Sequence, residues 1–470
     1  MLNKNNEIYE ILNFSKRTLN KKNIIHTDYV FHSSCNCNNK ILILNNFKTK
    51  NIKNYIDIAI KKGIKGLILD KKVPNKILPQ NLPVIFSTFL SINQNEFLSK
   101  IYSYPLKNKK IIGITGTDGK TSLSNMLAQA YTLTGKKVGI ISTEGCGVYP
   151  NLRKTGYTTP RNDILFEYFH KFNKKSANII IIESSSQGLQ QGRLNNIIFD
   201  ISIVTNITND HLDYHKTHLS YIKSKCKLLD MTNKSIYLNM DCKSTDKVLS
   251  LTSSNAKIML YTEHYNITAK HKTKMLDTTT NKYNYSVIYA LLKKMNISDS
   301  KIIKIFEKIR PIAGRNNIIF KKGFARFIID YAHTEKSFES LLMDMNEMYA
   351  KESNRLIVIF GCGGDRDKAK RIKMGSIAAQ YCDTIILTDD NPRTEKSMDI
   401  INSIYRGIPN SIKVHKIPNR KIAIKKALKI SNMNDIVVIA GKGNEQSIDY
   451  GSKTIEHNDI KYLKNLLHES

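Results

Sequence analysis

Residues 113–122 read Gly-Ile-Thr-Gly-Thr-Asp-Gly-Lys-Thr-Ser and join two segments of different character. The run from Lys110 to Thr115 contains Ile-Ile-Gly-Ile and predicts a buried strand, whereas Ser122 to Leu133 carries apolar residues at helical spacing. A glycine-rich loop between a strand and a helix lets backbone N–H groups and the positive helix end point at one place. The stretch therefore predicts an α/β fold with a phosphate-binding loop at the carboxyl end of a strand.

The loop departs from the strict P-loop spacing, because Ile114 stands where that pattern has a glycine and the glycines here recur at every third position. Gly116 and Gly119 permit the backbone to approach a phosphate closely. Lys120 suits the β- and γ-phosphates of a nucleotide, and the Thr121 hydroxyl suits Mg²⁺. A flexible turn with a surface lysine is the alternative, which the strand-loop-helix context disfavours.

The chain has 470 residues, too many for one hydrophobic core, and domains of roughly 100–200 residues predict about three of them. We expect an N-terminal domain over residues 1–105, a central domain over 106–313 and a C-terminal domain over 314–470. Strands that alternate with helices predict mostly parallel sheets with helices on both faces, the last domain being Rossmann-like. The apolar runs that predict strands are 40–44, 66–69, 84–86, 110–115, 137–142, 177–182, 200–205, 326–330, 355–360, 384–388 and 435–439.

The strongly basic composition does not by itself indicate a nucleic-acid partner. A formal net charge of +33 would normally suggest one, because lysine and arginine release counterions from phosphate. The lysines are spread along the whole chain together with Asn and Ile, and Trp is absent, which is typical of a drift toward A/T-rich codons. We therefore expect no nucleic-acid partner.

Cysteine spacing and hydropathy indicate the compartment. The seven cysteines form no Cys-x-x-Cys pair and no zinc-type spacing, which fits a reducing cytosol. No apolar run reaches the roughly 18 residues needed to span a bilayer, and the polar N-terminal segment lacks a signal-peptide core. We expect a cytoplasmic monomer without a membrane partner.

Two polar clusters follow other apolar strands. Glu183 comes directly after Ile179 to Ile182, at the sheet edge that is expected to carry the phosphate loop. A carboxylate there suits Mg²⁺, but a helix-capping or solvated glutamate agrees with the residues equally well. His211, in the polar segment 205–215, is either a ligand of metal or substrate or a structural histidine.

Together these segments resemble the Mur ligase family, over most of residues 110–460. The family's members are ATP-dependent enzymes that form amide bonds in peptidoglycan synthesis. Within it, the motifs are most similar to those of enzymes that act on UDP-N-acetylmuramoyl-L-alanyl-D-glutamate and meso-diaminopimelate. The motifs are Gly113 to Ser122, Tyr157 to Pro160, Glu183 to Arg193, Asn209 to His215, Asp330 to Thr334, Phe360 to Asp367, Asp390 to Arg393 and Ala440 to Gly443.

The resemblance implies that ATP phosphorylates the D-glutamate γ-carboxylate and that a diaminopimelate amine then attacks the acyl phosphate. A carboxylate is a poor electrophile, so this route needs a phosphate leaving group and cations that neutralise the transferring charge. The implied cofactors are ATP and Mg²⁺. By motif position, the implied ATP-binding residues are Gly116, Thr117, Asp118, Gly119, Lys120, Thr121, Ser122, Asn284 and Arg315.

The resemblance also implies a catalytic set of Lys120, Glu183, His211 and Lys225. Thr121 and Glu183 would hold one Mg²⁺ and His211 would help to hold a second. Lys225 matches a lysine that the family carries as N6-carboxylysine, because a bare ammonium would repel Mg²⁺ whereas a carbamate offers oxygen ligands. Without the resemblance, Lys225 on the predicted helix 217–229 would belong to a solvated basic face.

Two substrate sites are implied by the same motifs. Arg193 suits a carboxylate or pyrophosphate, because its guanidinium group binds two oxygens at once. Arg393 is expected to discriminate between diaminopimelate and lysine, since diaminopimelate has one carboxylate more. The implied UDP-muropeptide residues are Ser33, Thr158, Thr159, Ser185, Gln191 and Arg193. The implied diaminopimelate residues are Arg366, Asp390, Asn391, Pro392, Arg393, Gly441 and Glu445.

Other functions remain open from the sequence. A lysine-adding ligase or a folylpolyglutamate synthetase is disfavoured by Arg393 and by the segment from Glu183 to Arg193. A decayed, non-catalytic nucleotide-binding homologue is disfavoured because drift that abolished catalysis would have no reason to retain the ligands. This alternative is motivated by positions at which the chain departs from the residue usual in the family. They are Asp118, Gln187, Val287, Asn316, Asn317 and Asn444.

Overall fold

The computed structural model describes residues 2–45, 51–208, 210–262, 279–349 and 355–469. The described strands form three larger sheets, built within residues 29–86, 110–261 and 317–439, and one small hairpin. Each predicted domain thus contains one of the larger sheets. The boundaries at 105/106 and 313/314 fall between the sheets and stay predictions.

The first sheet is small and parallel throughout. Its strands are short apolar runs, because a parallel strand is covered on both faces. They are β1 (Tyr29–Val30), β2 (Ile41–Leu44), β3 (Gly66–Leu69) and β4 (Val84–Phe86), in that spatial order. The helices of this part are α1 (Leu2–Leu19), α2 (Ile52–Lys61) and α3 (Phe89–Ile101).

The central sheet has the order β12-β11-β10-β5-β9-β6-β7-β8, parallel except for the antiparallel edge β6-β7-β8. These strands are β5 (Lys110–Thr115), β6 (Val138–Ser142), β7 (Gly145–Val148), β8 (Asn151–Arg153), β9 (Ile179–Glu183), β10 (Phe199–Val204), β11 (Thr232–Asn239) and β12 (Lys257–Tyr261). The helices are α4 (Lys120–Leu133), α5 (Asn162–Lys174), α6 (Ser186–Gln190), α7 (Leu212–His215), α8 (His218–Asp230), α9 (Thr245–Leu251), α10 (Thr279–Lys293) and α11 (Asp299–Lys308).

Successive residues of the central strands point into different cores. Ile180 of β9 packs in one core with Phe199 of β10 and with Ile43 of the first sheet. Ile181 of β9 packs in the opposite core with Leu127 of α4. Because side chains alternate along a strand, both faces of this sheet are buried, as the apolar runs predict.

The third sheet has the order β13-β14-β18-β15-β16-β17, with only β13 and β14 antiparallel. Its strands are β13 (Asn317–Ile319), β14 (Arg326–Ile329), β15 (Leu356–Phe360), β16 (Thr384–Leu387), β17 (Lys413–Lys416) and β18 (Ile436–Ile439), and the hairpin consists of β19 (Ser447–Asp449) and β20 (Thr454–Glu456). The helices are α12 (Glu335–Tyr349), α13 (Ala369–Tyr381), α14 (Ser397–Tyr405), α15 (Arg420–Ile430) and α16 (Asp459–Glu469).

All the apolar runs predicted as strands are strands, with ends that differ by at most two residues. Strands β1, β7, β8, β11, β12, β13, β17, β19 and β20 were not predicted. Several of them are edge strands with polar or exposed residues, which lack the apolar pattern of a buried strand. Among the described residues, no helix combines the length and apolarity needed to cross a membrane.

Candidate active site

The predicted phosphate loop connects β5 to α4. Gly116 has a φ of +147° and Gly119, the N-cap of α4, a φ of +80°. Both values lie where glycine is favoured. A Cβ at Gly116 would lie 1.9 Å from Oγ1 of Thr205, so glycine lets the loop pass against the end of β10. The N-terminal end of α4 is thereby available to an anion.

Glu183 lies beside this loop, because β5 and β9 are parallel neighbours in the sheet. Its side chain is 1% exposed. One carboxylate oxygen accepts from Thr121 Oγ1 at 2.8 Å, and the other accepts from the Thr143 backbone N–H at 2.9 Å. Lys120 Nζ donates to the Thr117 carbonyl at 2.6 Å. The structure therefore brings Thr121 and Glu183 together and excludes a solvated Glu183.

Lys225 is buried on α8, with 1% of its surface exposed, while Lys223 and Lys227 of the same helix are exposed. Its Nζ donates to the Gly116 carbonyl at 2.6 Å and lies 4.5 Å from the centroid of the Tyr221 ring. The buried side chain of Lys225 therefore contacts the backbone of the phosphate loop. A solvated basic face is excluded for Lys225.

Burial lowers the pKa of Lys225 well below its ordinary value, and the charge of Lys120 lowers it further. The carboxylates of Asp210, Asp118 and Glu183 act in the opposite direction but do not offset the loss of hydration. Burial thus favours the uncharged amine over the ammonium at this position.

His211 immediately precedes α7 and has a φ of +52°. Its Nε2 lies 3.4 Å from Oδ2 of Asp210. Burial alone would raise the pKa of Asp210, but His211, His333 and Lys120 hold it below its ordinary value. Asn209 of the same motif lies outside the described residues.

A cavity of about 770 Å³ connects these lysines with the residues predicted to bind the muropeptide. Gln191 is not among its lining residues, and its Oε1 accepts from Arg193 Nε at 3.0 Å. Ser33 also lies outside this wall, and its carbonyl accepts from Lys62 Nζ at 2.9 Å. The site residues that line the cavity are Lys120, Thr158, Thr159, Ser185, Arg193, His211 and Lys225.

Two further cavities share Asp118 and Gly119 of the phosphate loop. Arg315 lines the first, of about 820 Å³, with its guanidinium group 4.2 Å from the centroid of the Tyr331 ring. Asn284 lines the second, of about 980 Å³. Arg315 and Asn284, two of the residues predicted to bind ATP, thus line different cavities, and the structure does not bring them into one wall.

Asp118 joins the phosphate loop to the third sheet. Its Oδ2 accepts from Oγ1 of Thr334, immediately before α12, at 3.0 Å. Its backbone N–H donates to Oδ1 of Asn206 at 3.0 Å. The sequence offers no signal for the contact with Thr334, because 216 positions separate the two residues.

A cavity of about 1240 Å³ lies at the carboxyl ends of β15, β16 and β18. Parallel strands carry such ligand sites at this edge. His211 lines both this cavity and the one that contains Lys225, so the two adjoin. Pro392 is not among the lining residues. The predicted diaminopimelate residues that line it are Arg366, Asp390, Asn391, Arg393, Gly441 and Glu445.

Arg393 is held in place by the neighbouring loop. Its Nη1 donates to the Gly364 carbonyl at 2.7 Å, and its Nε lies 3.7 Å from Oδ2 of Asp449. A Cβ at Gly364 would lie 1.8 Å from the Pro392 carbonyl oxygen, so glycine permits the two loops to touch. These contacts therefore hold the guanidinium group of Arg393 in a fixed position in the cavity wall.

The donor atoms near the loop fit Mg²⁺ bound jointly with a nucleotide. Hydroxyl and carboxylate oxygens, as on Thr121 and Glu183, are the ligands that Mg²⁺ prefers, and phosphate and water normally complete its shell. In the part of the chain that the structure describes, no three His, Cys, Asp or Glu residues are grouped to hold a metal on their own. The described residues thus supply only part of a Mg²⁺ coordination shell.

The fold, the phosphate loop and the adjoining cavities define a nucleotide-dependent α/β enzyme with several domains. Residues 114–318 match the Mur ligase middle domain, and residues 314–443 match the Mur ligase glutamate ligase domain. The UDP-N-acetylmuramoyl-L-alanyl-D-glutamate–2,6-diaminopimelate ligase of Wigglesworthia glossinidia brevipalpis is 33% identical, over 96% of this chain and 94% of that protein. The chain belongs to the Mur ligase family, whose members are ATP-dependent acid–amino-acid ligases.

Solved structures agree with this assignment. A UDP-N-acetylmuramoyl-L-alanyl-D-glutamate–2,6-diaminopimelate ligase superposes with a TM-score of 0.62 at 25% identity, over 94% of each chain. Mycobacterium tuberculosis folylpolyglutamate synthase, solved with ADP and AMPPCP, superposes with a TM-score of 0.60 at 14% identity, over 74% of this chain and 92% of that one. The second likeness concerns the fold alone. The predicted α/β fold and the family resemblance are confirmed.

Proposed function

We propose that this chain joins meso-diaminopimelate to the D-glutamate of UDP-N-acetylmuramoyl-L-alanyl-D-glutamate at the expense of ATP, in cytoplasmic peptidoglycan precursor synthesis. The name of the relative with 33% identity supports these substrates. The observation that carries the proposal is the position of His211 in the walls of two cavities. One also contains Lys120 and Lys225, and the other Arg366 and Arg393. Substrates in the two cavities would meet at the shared wall, where proximity favours reaction.

In the first step, the loop N–H groups and Lys120 bind the triphosphate. Lys120 exchanges the Thr117 carbonyl for phosphate oxygens, at little cost because the side chain already lies at the loop. A carboxylate oxygen of the substrate forms a bond to the γ-phosphorus, and the bond from that phosphorus to the bridging oxygen of ADP breaks. Thr121 and Glu183 would hold Mg²⁺, which supplies neutralisation of the phosphate charge when bound.

In the second step, the diaminopimelate amine attacks the carbonyl carbon of the acyl phosphate. The bond from that carbon to the phosphate oxygen breaks, phosphate leaves, and the nitrogen loses a proton. The residues of the cavity that Arg366 and Arg393 line hold the amino acid, and Arg393 binds the distal carboxylate that lysine lacks. The site therefore favours a dicarboxylic diamino acid.

Lys225 is proposed to react with carbon dioxide before catalysis. Only an uncharged amine has the lone pair for this reaction, and burial lowers the pKa of Lys225. A nitrogen–carbon bond forms, one proton leaves, and the product is a carbamate whose oxygens can bind Mg²⁺. Its contact with the Gly116 carbonyl keeps this group beside the phosphate loop.

The acidic muropeptide is assigned to the cavity that Lys120 and Arg193 line. Thr158 supplies a hydroxyl group there, 2.9 Å from Thr143 Oγ1. The hydroxyl of the buried Thr159 instead donates to the Glu183 carbonyl at 2.7 Å. Contact between Ser33 and the UDP group, a monomeric state and the absence of a nucleic-acid partner stay predictions. 

The test is a reaction with purified protein, ATP, Mg²⁺, the UDP-muropeptide and meso-diaminopimelate. Phosphate release is expected only when all components are present, together with a product heavier by one diaminopimelate residue in mass spectrometry. A folded sample that binds nucleotide but releases no phosphate would refute the proposal and favour the decayed homologue. Equal incorporation of lysine and diaminopimelate in competition would overturn the role of Arg393.

A further inference from the structure

Lys442 follows the end of β18 and lies behind the amino-acid cavity rather than in its wall. Its side chain is 1% exposed. Its Nζ lies 2.5 Å from Glu445 Oε2, 3.1 Å from Asn391 Oδ1 and 3.8 Å from Asp390 Oδ1. These three partners line the cavity. Lys442 therefore acts on a bound amino acid only through them.

The partners of Lys442 also bond to one another. Asn391 Nδ2 donates to Glu445 Oε2 at 3.0 Å, and the backbone N–H of Asp449 donates to Asn391 Oδ1 at 2.9 Å. The lysine ammonium is a second donor to that amide oxygen. Lys442 thus helps to fix which end of the Asn391 amide faces Glu445.

The loops that carry these residues are anchored independently of Lys442. Arg420 is buried and donates to the carbonyls of Asp389 at 3.2 Å and of Ala440 at 2.9 Å, the residues just before the two loops. Arg420 also forms a buried ion pair with Asp459 at 2.8 Å. Removal of the Lys442 ammonium therefore leaves this second attachment of the loops intact.

The charges around the cavity give the lysine a further role. Asp390 and Glu445 bring two negative charges to one part of the wall, and the ammonium of Lys442 offsets one of them. The distal end of diaminopimelate is a zwitterion, whereas the distal end of lysine is a bare ammonium. An additional uncompensated carboxylate would favour the bare ammonium, because opposite charges attract strongly where water is excluded.

We propose that Lys442 is a positioning residue that sets the specificity of the amino-acid site. By offsetting one of the two carboxylates, it makes the site prefer a distal zwitterion over a distal ammonium. This inference rests on the proposed ligase function.

The test is a competition between meso-diaminopimelate and lysine, with saturating ATP and UDP-muropeptide, in the wild type and in Lys442→Met. The diaminopimelate-to-lysine ratio of kcat/KM is expected to fall about tenfold in the variant, as for one charge a few ångströms away. The KM for ATP is expected to stay the same, because Lys442 is not among the residues of the nucleotide cavities. A general structural defect would not change the ratio in this direction.

Further variants control for charge and folding. Lys453→Met removes the same charge from an exposed position in the β19–β20 hairpin, and its ratio is expected to equal that of the wild type. The double variant Lys442→Met with Glu445→Gln removes the cation together with one carboxylate. It leaves fewer unpaired buried charges, so it provides a folded protein even if Lys442→Met alone does not fold. Because Glu445 itself lines the amino-acid cavity, Glu445→Gln alone is the reference, and the ratio of the double variant is expected to lie within about threefold of that reference.

An unchanged ratio in folded Lys442→Met would overturn the inference. So would an equal fall in Lys453→Met, or a double variant whose ratio lies about tenfold below that of Glu445→Gln. A wild type that incorporates neither amino acid would contradict the ligase function itself. A wild type that prefers diaminopimelate beside an unaltered Lys442→Met would contradict only the role of Lys442.

Discussion

Lys225 and Lys442 are equally buried, each with 1% of its surface exposed, but they lie in opposite surroundings. Lys225 meets a backbone carbonyl and an aromatic ring, and the charge of Lys120 repels it. Lys442 meets the carboxylate of Glu445 and the amide oxygen of Asn391. The first environment suits a reactive amine and the second a stationary cation. Burial alone therefore does not decide what a lysine does, and its neighbours do.

The largest effect on activity is expected for Lys225→Ala, which removes the reactive amine of the two buried lysines. We expect phosphate release to fall by about 10³-fold, because a group that stabilises developing charge is lost. A short carboxylate such as acetate is expected to restore part of the activity by replacing the carbamate oxygens. Lys227→Ala, on the exposed side of the same helix, is the matched control and should remain active. Unimpaired turnover by Lys225→Ala would eliminate the carbamate role.

Arg393→Met tests whether a cation facing the amino-acid cavity discriminates as proposed. We expect kcat/KM for diaminopimelate to fall by about 10²-fold, because the distal carboxylate loses its charged partner, while the value for lysine changes little. Steady-state kinetics with each amino acid separately would measure this. Arg406→Met removes an exposed arginine at the end of α14 and should leave both values unchanged. Equal losses for both amino acids would contradict the assignment.

The pKa of Lys225 makes a prediction about stability. Because burial lowers this pKa in the folded protein, the unfolded chain binds one more proton between that depressed pKa and the ordinary value of 10.5. In buffer without carbon dioxide, the free energy of unfolding should therefore rise with pH by up to about 1.4 kcal/mol per unit relative to Lys225→Met. Denaturant titrations at several pH values would measure the difference. Parallel pH profiles of the two proteins would show that Lys225 stays charged when folded.

The smallest effect is expected for Asp118→Asn. The carboxylate lies in the phosphate loop, so its removal should lower the KM for ATP about threefold without changing kcat. The new amide oxygen can still accept from Thr334. Thr334→Val breaks that hydrogen bond without changing charge, and it separates the effect of the contact between Asp118 and Thr334 from the electrostatic effect. An increased KM in Asp118→Asn would show that the carboxylate supports nucleotide binding.

The sequence predicted that Glu183 and the phosphate loop lie in one site, because the carboxyl ends of neighbouring parallel strands meet at one edge of a sheet. Glu183 and the phosphate loop lie together, since β9 and β5 are neighbours with apolar sequences. The contacts of Tyr221 and Thr143 were not predicted, because neither belongs to a motif on its own. Ser33 and Gln191 were predicted to bind the muropeptide, but they do not line the cavity of about 770 Å³ that contains Lys120 and Lys225.

The sequence by itself determined the strands that are apolar runs, the glycine loop and the order of the motifs, because each depends on residues a few positions apart. Only the tertiary structure decided the environments of the two lysines. Lys225 meets Gly116 across 109 positions, and Lys442 meets Asn391 across 51. Hydration and charge around a buried group are set by whatever the fold packs against it, and no local pattern records those neighbours.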